Sequence, residues 1–256
     1  MVVGMAQTSV DPREVERFAR MAANWWDPRG PMAPLHKLNP VRVGYIRDQA
    51  CARFGREAKH LGCLNGLRIL DIGCGAGILS EPLARLGADM IGIDPAAENI
   101  EAARLHAAES GVAVDYRATT AETLAEAGER FDIVLAMEVV EHVVDVPAFV
   151  ATCAAMVKPG GLLVMATLNR TMKSFALAIV GAEYLARLVP RGTHEYERLL
   201  KPSEVARFAR AAGLQVSDIA GLRYDPLREQ CSLTRDPSVN YLMHMTRGTA
   251  PEPQHE

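Results

Sequence analysis

The stretch "LRILDIGCGAGILSEPLARLGADMIGID", residues 67–94, decides the fold. An apolar run leads to Asp71. Gly73, Gly75 and Gly77 follow, then a helix-like segment, then a second apolar run that ends at Asp94. A strand, a glycine turn, a helix and a second strand make a βαβ unit. The glycines let the backbone approach a ligand closely, and a helix N-terminus behind them favours anionic groups. Such a turn holds a nucleotide-like cofactor. The dinucleotide fingerprint G-x-G-x-x-G fails here, because the sixth position counted from Gly73 is Ile78. A pyrophosphate also wants bare amides, and a carboxylate beside it repels it. S-adenosylmethionine carries a sulfonium and an ammonium as well as a carboxylate. Asp71 attracts the cationic end, and Asp94 at the end of the second strand is placed to accept the ribose hydroxyls. The residues therefore favour S-adenosylmethionine over a nicotinamide dinucleotide.

Outward from this unit the rhythm repeats. "VAVDYRA", "FDIVLAM" and "LLVMATL" read as three further strands, separated by the helical "AAENIEAARLHAAESG" and "VPAFVATCAAMVKPGG", each with a glycine stop. Alternation of this kind predicts a mainly parallel sheet with helices on both faces. Upstream, "SVDPREVERFARMAANWWD" predicts a helix capped by Ser9 or Asp11, with Pro12 at its first position. A proline-rich loop, 27–40, and a helix from "VRVGYIRD" onward follow. Downstream, 170–200 breaks the rhythm with an extra apolar helix. "KPSEVARFARAAG" is a helix with Ser203 as candidate cap, and "LQVSDIAGL" and "VNYLMHMTR" are two final strands. The organisation expected is an N-terminal helical lid over 1–66, a methyltransferase-type domain over 67–249 with an insertion near 170–200, and a disordered tail over 250–256.

The bulk numbers agree with one large α/β domain. There are 256 residues, 23% of them charged, with a net charge of -3, which gives no basic bias toward nucleic acid. Five cysteines, Cys51, Cys63, Cys74, Cys153 and Cys231, form no zinc spacing and point to reduced thiols in a cytoplasmic setting. The N-terminus has no secretory pattern, and the longest clean apolar run, "FALAIVGA", is far short of the roughly 18 residues of a membrane span.

A second informative stretch is "FDIVLAMEVVEHVVDVP". Met137 lies where the fourth strand leaves the sheet, at the edge where ligands bind, and its thioether suits an adenine face or simply the core. Glu138, Glu141 and His142 stand at i, i+3 and i+4, so a helical turn would project all three to one side. Three readings stay open for them: ligands of Mg²⁺, Mn²⁺ or zinc, an acid–base cluster, or an acidic first turn favoured by the helix dipole.

Taken together, "NWWDPRGPMAPLHKLNPVRVGYIRD", "LDIGCGAGILSEPLARLGA", "MEVVEHVVD", "VKPGGLLVMATLNRT", "VGAEYLARLVPRGTHEY" and "VNYLMHMTRG" closely resemble the ubiquinone-biosynthesis O-methyltransferases, the UbiG family. The glycine loop is generic to class I methyltransferases, whereas the Trp-Trp-Asp and Gly-Thr-His segments are more specific. The resemblance implies a Rossmann-like, seven-stranded sheet whose last strand is antiparallel. It implies methylation of phenolic hydroxyls on polyprenylated rings, namely a 2-polyprenyl-6-hydroxyphenol and 3-demethylubiquinol. It puts cofactor contacts on Arg42, Gly73, Asp94 and Met137, and an accessory Mg²⁺ on Glu138, Glu141 and His142. Ala76 replaces an expected glycine, and "DPAAENI" departs from the expected loop after the ribose acid.

Methyl transfer from a sulfonium is an in-line displacement, so the acceptor phenol must ionise. A phenol of pKa near 10 is about one part in a thousand ionised at pH 7, a deficit of roughly 4 kcal/mol. His142 with Glu138 and Glu141 is the first candidate to remove it, and His194 in "RGTHEY" the second. The apolar segment carrying Phe175, Leu177, Ala178, Ile179, Val180, Leu185 and Leu188, flanked by Lys173, Arg187 and Arg191, is expected to lie on the inner membrane surface and admit the prenyl tail. A quinone-biosynthesis complex is a further expected partner. The competing readings are a methyltransferase of another small molecule, an NAD-dependent oxidoreductase, and a cofactor-binding scaffold.

Overall fold

The computed structural model describes residues 8–176, 196–225 and 228–249. Its centre is a sheet of eight strands: β1 (Arg68–Ile72), β2 (Asp89–Asp94), β3 (Asp115–Ala118), β4 (Phe131–Met137), β5 (Val157–Leu168), β6 (Leu214–Asp225), β7 (Gln230–Thr234) and β8 (Asn240–Arg247). The order across the sheet is β3-β2-β1-β4-β5-β8-β6-β7. The first five strands pair in parallel, and β8 enters antiparallel between β5 and β6.

Alternate residues of the central strands face two separate apolar layers. Leu70, Ile72, Val134 and Ala136 pack with helices α5 (Ala121–Glu126), α6 (Val146–Met156) and α8 (Pro202–Ala211). Ile69, Ile133 and Leu135 pack on the other face with α2 (Ala33–Arg53) and α3 (Ser80–Arg85). A parallel sheet covered on both faces needs such continuous apolar strands, which is why "RILDI" and "FDIVLAM" lack polar alternation. Helix α4 (Ala97–Ser110) closes the β2–β3 crossover, and α1 (Pro12–Ala19) precedes the sheet.

Four details correct the sequence reading. The sheet has eight strands rather than seven, because β6 folds back into the hairpin strand β7. The sequence "QCSLT" is a half-exposed edge strand without a clean apolar alternation, so it carries little signal. Helix α2 starts at Ala33, inside the stretch expected to be a loop, and runs through Pro40. Pro34 lies in its first turn, where no backbone donor is needed. Helix α6 ends at Met156, and the expected glycine stop belongs to β5 instead. A side chain at Gly161 would meet the Asp132 carbonyl at 2.6 Å, so this glycine serves the close approach of β4 and β5. Finally, Ser203 is inside α8, whose N-cap is Lys201; the Glu204 carboxylate accepts the Lys201 backbone N–H at 2.8 Å.

Asp11, not Ser9, caps α1, accepting from the Arg13 N–H at 3.0 Å. Ser9 is buried and ties the chain start to α5, donating from its backbone N–H to Glu122 at 3.0 Å and from its hydroxyl at 2.5 Å. A single helical turn, α7 (Met172–Ser174), follows β5. The remainder of the expected apolar helix, residues 177–195, lies outside the described residues, as does His194. The expected tail, 250–256, does too. Among the described residues no helix is long and apolar enough to cross a membrane.

Candidate active site

The carboxyl ends of β1, β2 and β4 open into one cavity of about 360 Å³. Its floor includes Asp71, Gly73, Asp94, Met137 and Glu138, and its roof comes from α1, the following segment and α2, through Glu14, Phe18, Trp25, Met32, Leu38 and Arg42. Ligands of open α/β sheets bind at this edge. The roof is N-terminal to the sheet in sequence yet lies over its carboxyl edge in space.

Gly73, Gly75 and Gly77 all have positive φ, of 67°, 54° and 86°. For Gly75 the need is also spatial: a Cβ there would strike the Trp25 ring. Asp71 is buried at the end of β1 and accepts the Ser80 hydroxyl at 2.6 Å. Burial pushes its carboxyl up to about 7, helped by the negative charge of Asp94 and opposed by the Ser80 hydroxyl and by Arg42. A cation entering the cavity would reverse that cost, since an opposite charge favours the ionised form.

Asp94 is held by three donors. Its Oδ1 accepts from the Ala96 N–H at 2.9 Å and from Asn99 Nδ2 at 3.2 Å, and its Oδ2 accepts from the Gly75 N–H at 3.1 Å. Burial raises its pKa, and these bonds oppose the shift. Met137 is buried at the end of β4 on the cavity wall. Arg42 is buried in α2, and its guanidinium meets Glu138 Oε1 at 2.5 Å. Arg42 Nε is sealed from solvent without a partner, so the roof holds a cationic donor with capacity to spare.

The expected one-sided trio is divided. Glu138 has a left-handed backbone, φ 58°, and stands before the single 3₁₀ turn Val140–His142. That break removes the i, i+3, i+4 geometry. Glu138 turns to Arg42. Glu141 is buried and is not among the cavity's lining residues. Neither of its oxygens makes a hydrogen bond of good geometry, although Glu138 and Thr167 are close enough to influence it. Burial, followed by the negative charge of Glu138, drives its pKa well above the ordinary carboxyl range. His142 lines the cavity, and its Nδ1 lies 3.0 Å from Glu14 Oε2, an ion-pair contact without full hydrogen-bond alignment. The imidazole is the main cause of the lowered Glu14 pKa. Phe18 meets the same ring edge-on at 5.3 Å. Among the described residues no three His, Cys, Asp or Glu side chains converge as metal ligands.

The roof brings residues that sequence reasoning missed: Glu14, Phe18, Trp25, Met32 and, behind Asp94, Asn99. Glu14 and Phe18 are four residues apart on α1 and so share a face. Periodicity marks that face as apolar and gives no sign that it covers His142. The Trp-Trp pair stands out in the sequence, and the structure gives it a task. Trp25 Nε1 donates to Asn99 Oδ1 at 3.1 Å, and Trp26 Nε1 donates to the Ala76 carbonyl at 2.9 Å. Trp26 also stacks on His106 with centroids 3.4 Å apart. Asn39 donates to the Ile78 carbonyl at 2.7 Å. The glycine loop is thus gripped by the roof at Gly75, Ala76 and Ile78.

Known proteins share this arrangement to different depths. A family model described as a methyltransferase domain matches residues 43–219. A "Ubiquinone biosynthesis O-methyltransferase" of Sinorhizobium fredii is 58% identical over 93% of this chain and 96% of its own length. A protein of the same name from Rhodopseudomonas palustris is 57% identical over 93% of each chain. Among solved structures, the magnesium protoporphyrin IX methyltransferase of Synechocystis superposes with a TM-score of 0.61 at 20% identity, covering 93% of this chain and 95% of that one. The plantazolicin methyltransferase BamL gives 0.63 at 15% identity, covering 93% and 98%. At such identities the structural likeness speaks to the fold.

Proposed function

The chain belongs to the ubiquinone-biosynthesis O-methyltransferases, and from that premise we propose that it moves the methyl group of S-adenosylmethionine to a phenolic hydroxyl of a polyprenylated ring. The observation that carries the reading is the near full-length identity of 58% to a curated relative. The cavity chemistry supports it. Asp71 and Glu138 offer negative charge to a sulfonium and an ammonium, Arg42 offers a spare buried donor to a carboxylate, and Asp94 offers its carboxylate to ribose hydroxyls. A diphosphate would meet Asp71 and Asp94 with repulsion.

When bound, the cofactor supplies an electrophilic methyl group on sulfur. The protein's share is alignment and charge. The glycine loop and Asp94 fix one end, Met137 gives an apolar wall for the adenine, and Arg42 and Asp71 fix the amino-acid end. For the acceptor we assign His142 as general base. Glu14 beside Nδ1 favours the tautomer with its proton there, leaving Nε2 free to take the phenolic proton, and it stabilises the imidazolium that results. Glu138 pairs with Arg42, and Glu141 is buried behind the wall, where desolvation disfavours its charged form. This donor set does not suit a divalent cation: Glu138 turns to Arg42, Glu141 is buried and outside the cavity lining, and the imidazole is engaged by Glu14, so the three do not converge. No step is therefore routed through Mg²⁺.

The finer substrates are the 2-polyprenyl-6-hydroxyphenol and 3-demethylubiquinol expected from the sequence. A prenyl tail implies contact with a membrane surface, and exposed Met172 and half-exposed Phe175 lead into the apolar segment that would make it. The test is methyl transfer to a short-chain demethylubiquinol, with and without a chelator. Turnover is expected in both, and His142→Ala should lower kcat by about 10²–10⁴. Inertness toward the quinol alongside turnover of unrelated phenols would redirect the substrate assignment, and loss of activity in chelator would restore a metal.

A further inference from the structure

Asp94 is oriented by two backbone donors and a single side chain, Asn99. Asn99 is fully buried in the first turn of α4. Its amide can present either a donor or an acceptor to Asp94, and only one choice is favourable. The Trp25 indole reinforces the choice that the carboxylate makes. An indole N–H can only donate, so the Asn99 atom 3.1 Å from Trp25 Nε1 must be the oxygen. The NH₂ group is thereby turned toward the Asp94 carboxylate. With Trp25 withdrawn, the Asn99 oxygen loses its buried donor and the amide is held at its Asp94 end alone.

Trp25 belongs to the roof. Its ring also closes over Gly75, whose N–H is another of the three donors on Asp94. Trp25, Met32 and Arg42 of the roof line the same cavity as Asp94, so a ligand of nucleoside size held there touches the roof and the Asp94 subsite together. We propose that the Trp25–Asn99 hydrogen bond is a latch that couples docking of the N-terminal segment to occupancy of the Asp94 subsite, with Asn99 acting as the positioning residue for Asp94. The inference rests on the cofactor reading above. Coupling is reciprocal: a nucleoside held by Asp94 tightens the roof, and a docked roof raises affinity at Asp94.

The protein reports on this itself, because Trp25 and Trp26 are the two tryptophans in the sequence. In a Trp26→Phe variant, titration with S-adenosylhomocysteine is expected to shift the emission of Trp25. Trp25→Phe deletes the N–H together with the outer ring carbons that close over Gly75, whereas Asn99→Ala breaks the same bond and leaves the indole in place. Trp25→Phe should weaken S-adenosylhomocysteine binding by calorimetry about fivefold to tenfold, and Asn99→Ala at least as much. Wild-type protein needs no substitution for the other half of the test. S-adenosylhomocysteine should slow proteolytic cleavage within residues 8–32. Unchanged or tighter binding by both variants, or a cleavage rate that the ligand leaves alone, overturns the latch. Lower melting temperature without loss of affinity overturns it as well, because a purely structural bond behaves that way. Failure of wild-type protein to bind S-adenosylhomocysteine at all would instead strike the cofactor reading.

Discussion

At the scale of single residues, the site is governed by where carboxylates can afford to be charged. Asp71 is held near pH 7 by burial, against an ordinary carboxyl value of 3.8. Its folded pKa is raised, so the folded form binds a proton that the unfolded chain has already lost. The stability this group contributes is present below about pH 4 and disappears as the pH rises to 7. A cationic ligand reverses the balance by favouring the carboxylate. With its carboxyl raised to about 7, Asp71 holds a proton in part of the free protein near neutral pH, so binding of S-adenosylmethionine should release a fraction of a proton. Calorimetry in two buffers of different ionisation enthalpy measures it. Asp71→Asn should abolish the release and flatten the pH slope of stability, and a wild type that releases no proton would disprove the role of this charge. Glu141 illustrates the opposite outcome. Sequence spacing makes it a ligand or a base, yet its side chain is buried outside the cavity, where desolvation raises its pKa.

At the scale of elements, the chemistry depends on α1, a helix of eight residues with no buried side chain of its own. So short a helix is marginal without external support. Support comes from its cap, since Asp11 accepts the Arg13 N–H and also pairs with Arg198 at 3.0 Å. Asp11→Ala should cost about 1 kcal/mol through the lost cap. Because α1 carries Glu14 against His142, the same change should lower kcat several-fold while cofactor affinity moves less. Steady-state kinetics beside a thermal melt checks this, and a fall in melting temperature with unaltered kcat would detach α1 from the chemistry. The 3₁₀ turn after β4 makes the same point in reverse. One left-handed residue, Glu138, is enough to send Arg42's partner, the buried acid and the imidazole in three directions.

At the scale of the whole molecule, a sheet buried on both faces carries its reactive groups at one edge, and residues between Ser9 and Arg42 return to cover them. The proposed membrane contact belongs here, since it concerns how the covered edge meets its surroundings. Changing Phe175, Ile179 and Leu185 to Asp should abolish co-sedimentation with anionic liposomes while leaving turnover of a tail-less quinol intact; undiminished sedimentation would remove the membrane role. Much of this architecture was legible beforehand. Strand and helix periods, the glycine turn and the acids at two strand ends are local properties, and a parallel sheet follows from them because apolar strands joined by helices have few ways to bury both faces. The same local chemistry separated a sulfonium from a diphosphate. What the chain alone left open was which distant side chains meet. Glu14 and His142 stand 128 positions apart by number, and Trp25 and Asn99 are separated by 74. Their pairing, the split of the acidic trio and the raised pKa of Glu141 arise from packing and desolvation, which depend on what the fold places next to a group and have no signature in its sequence neighbours.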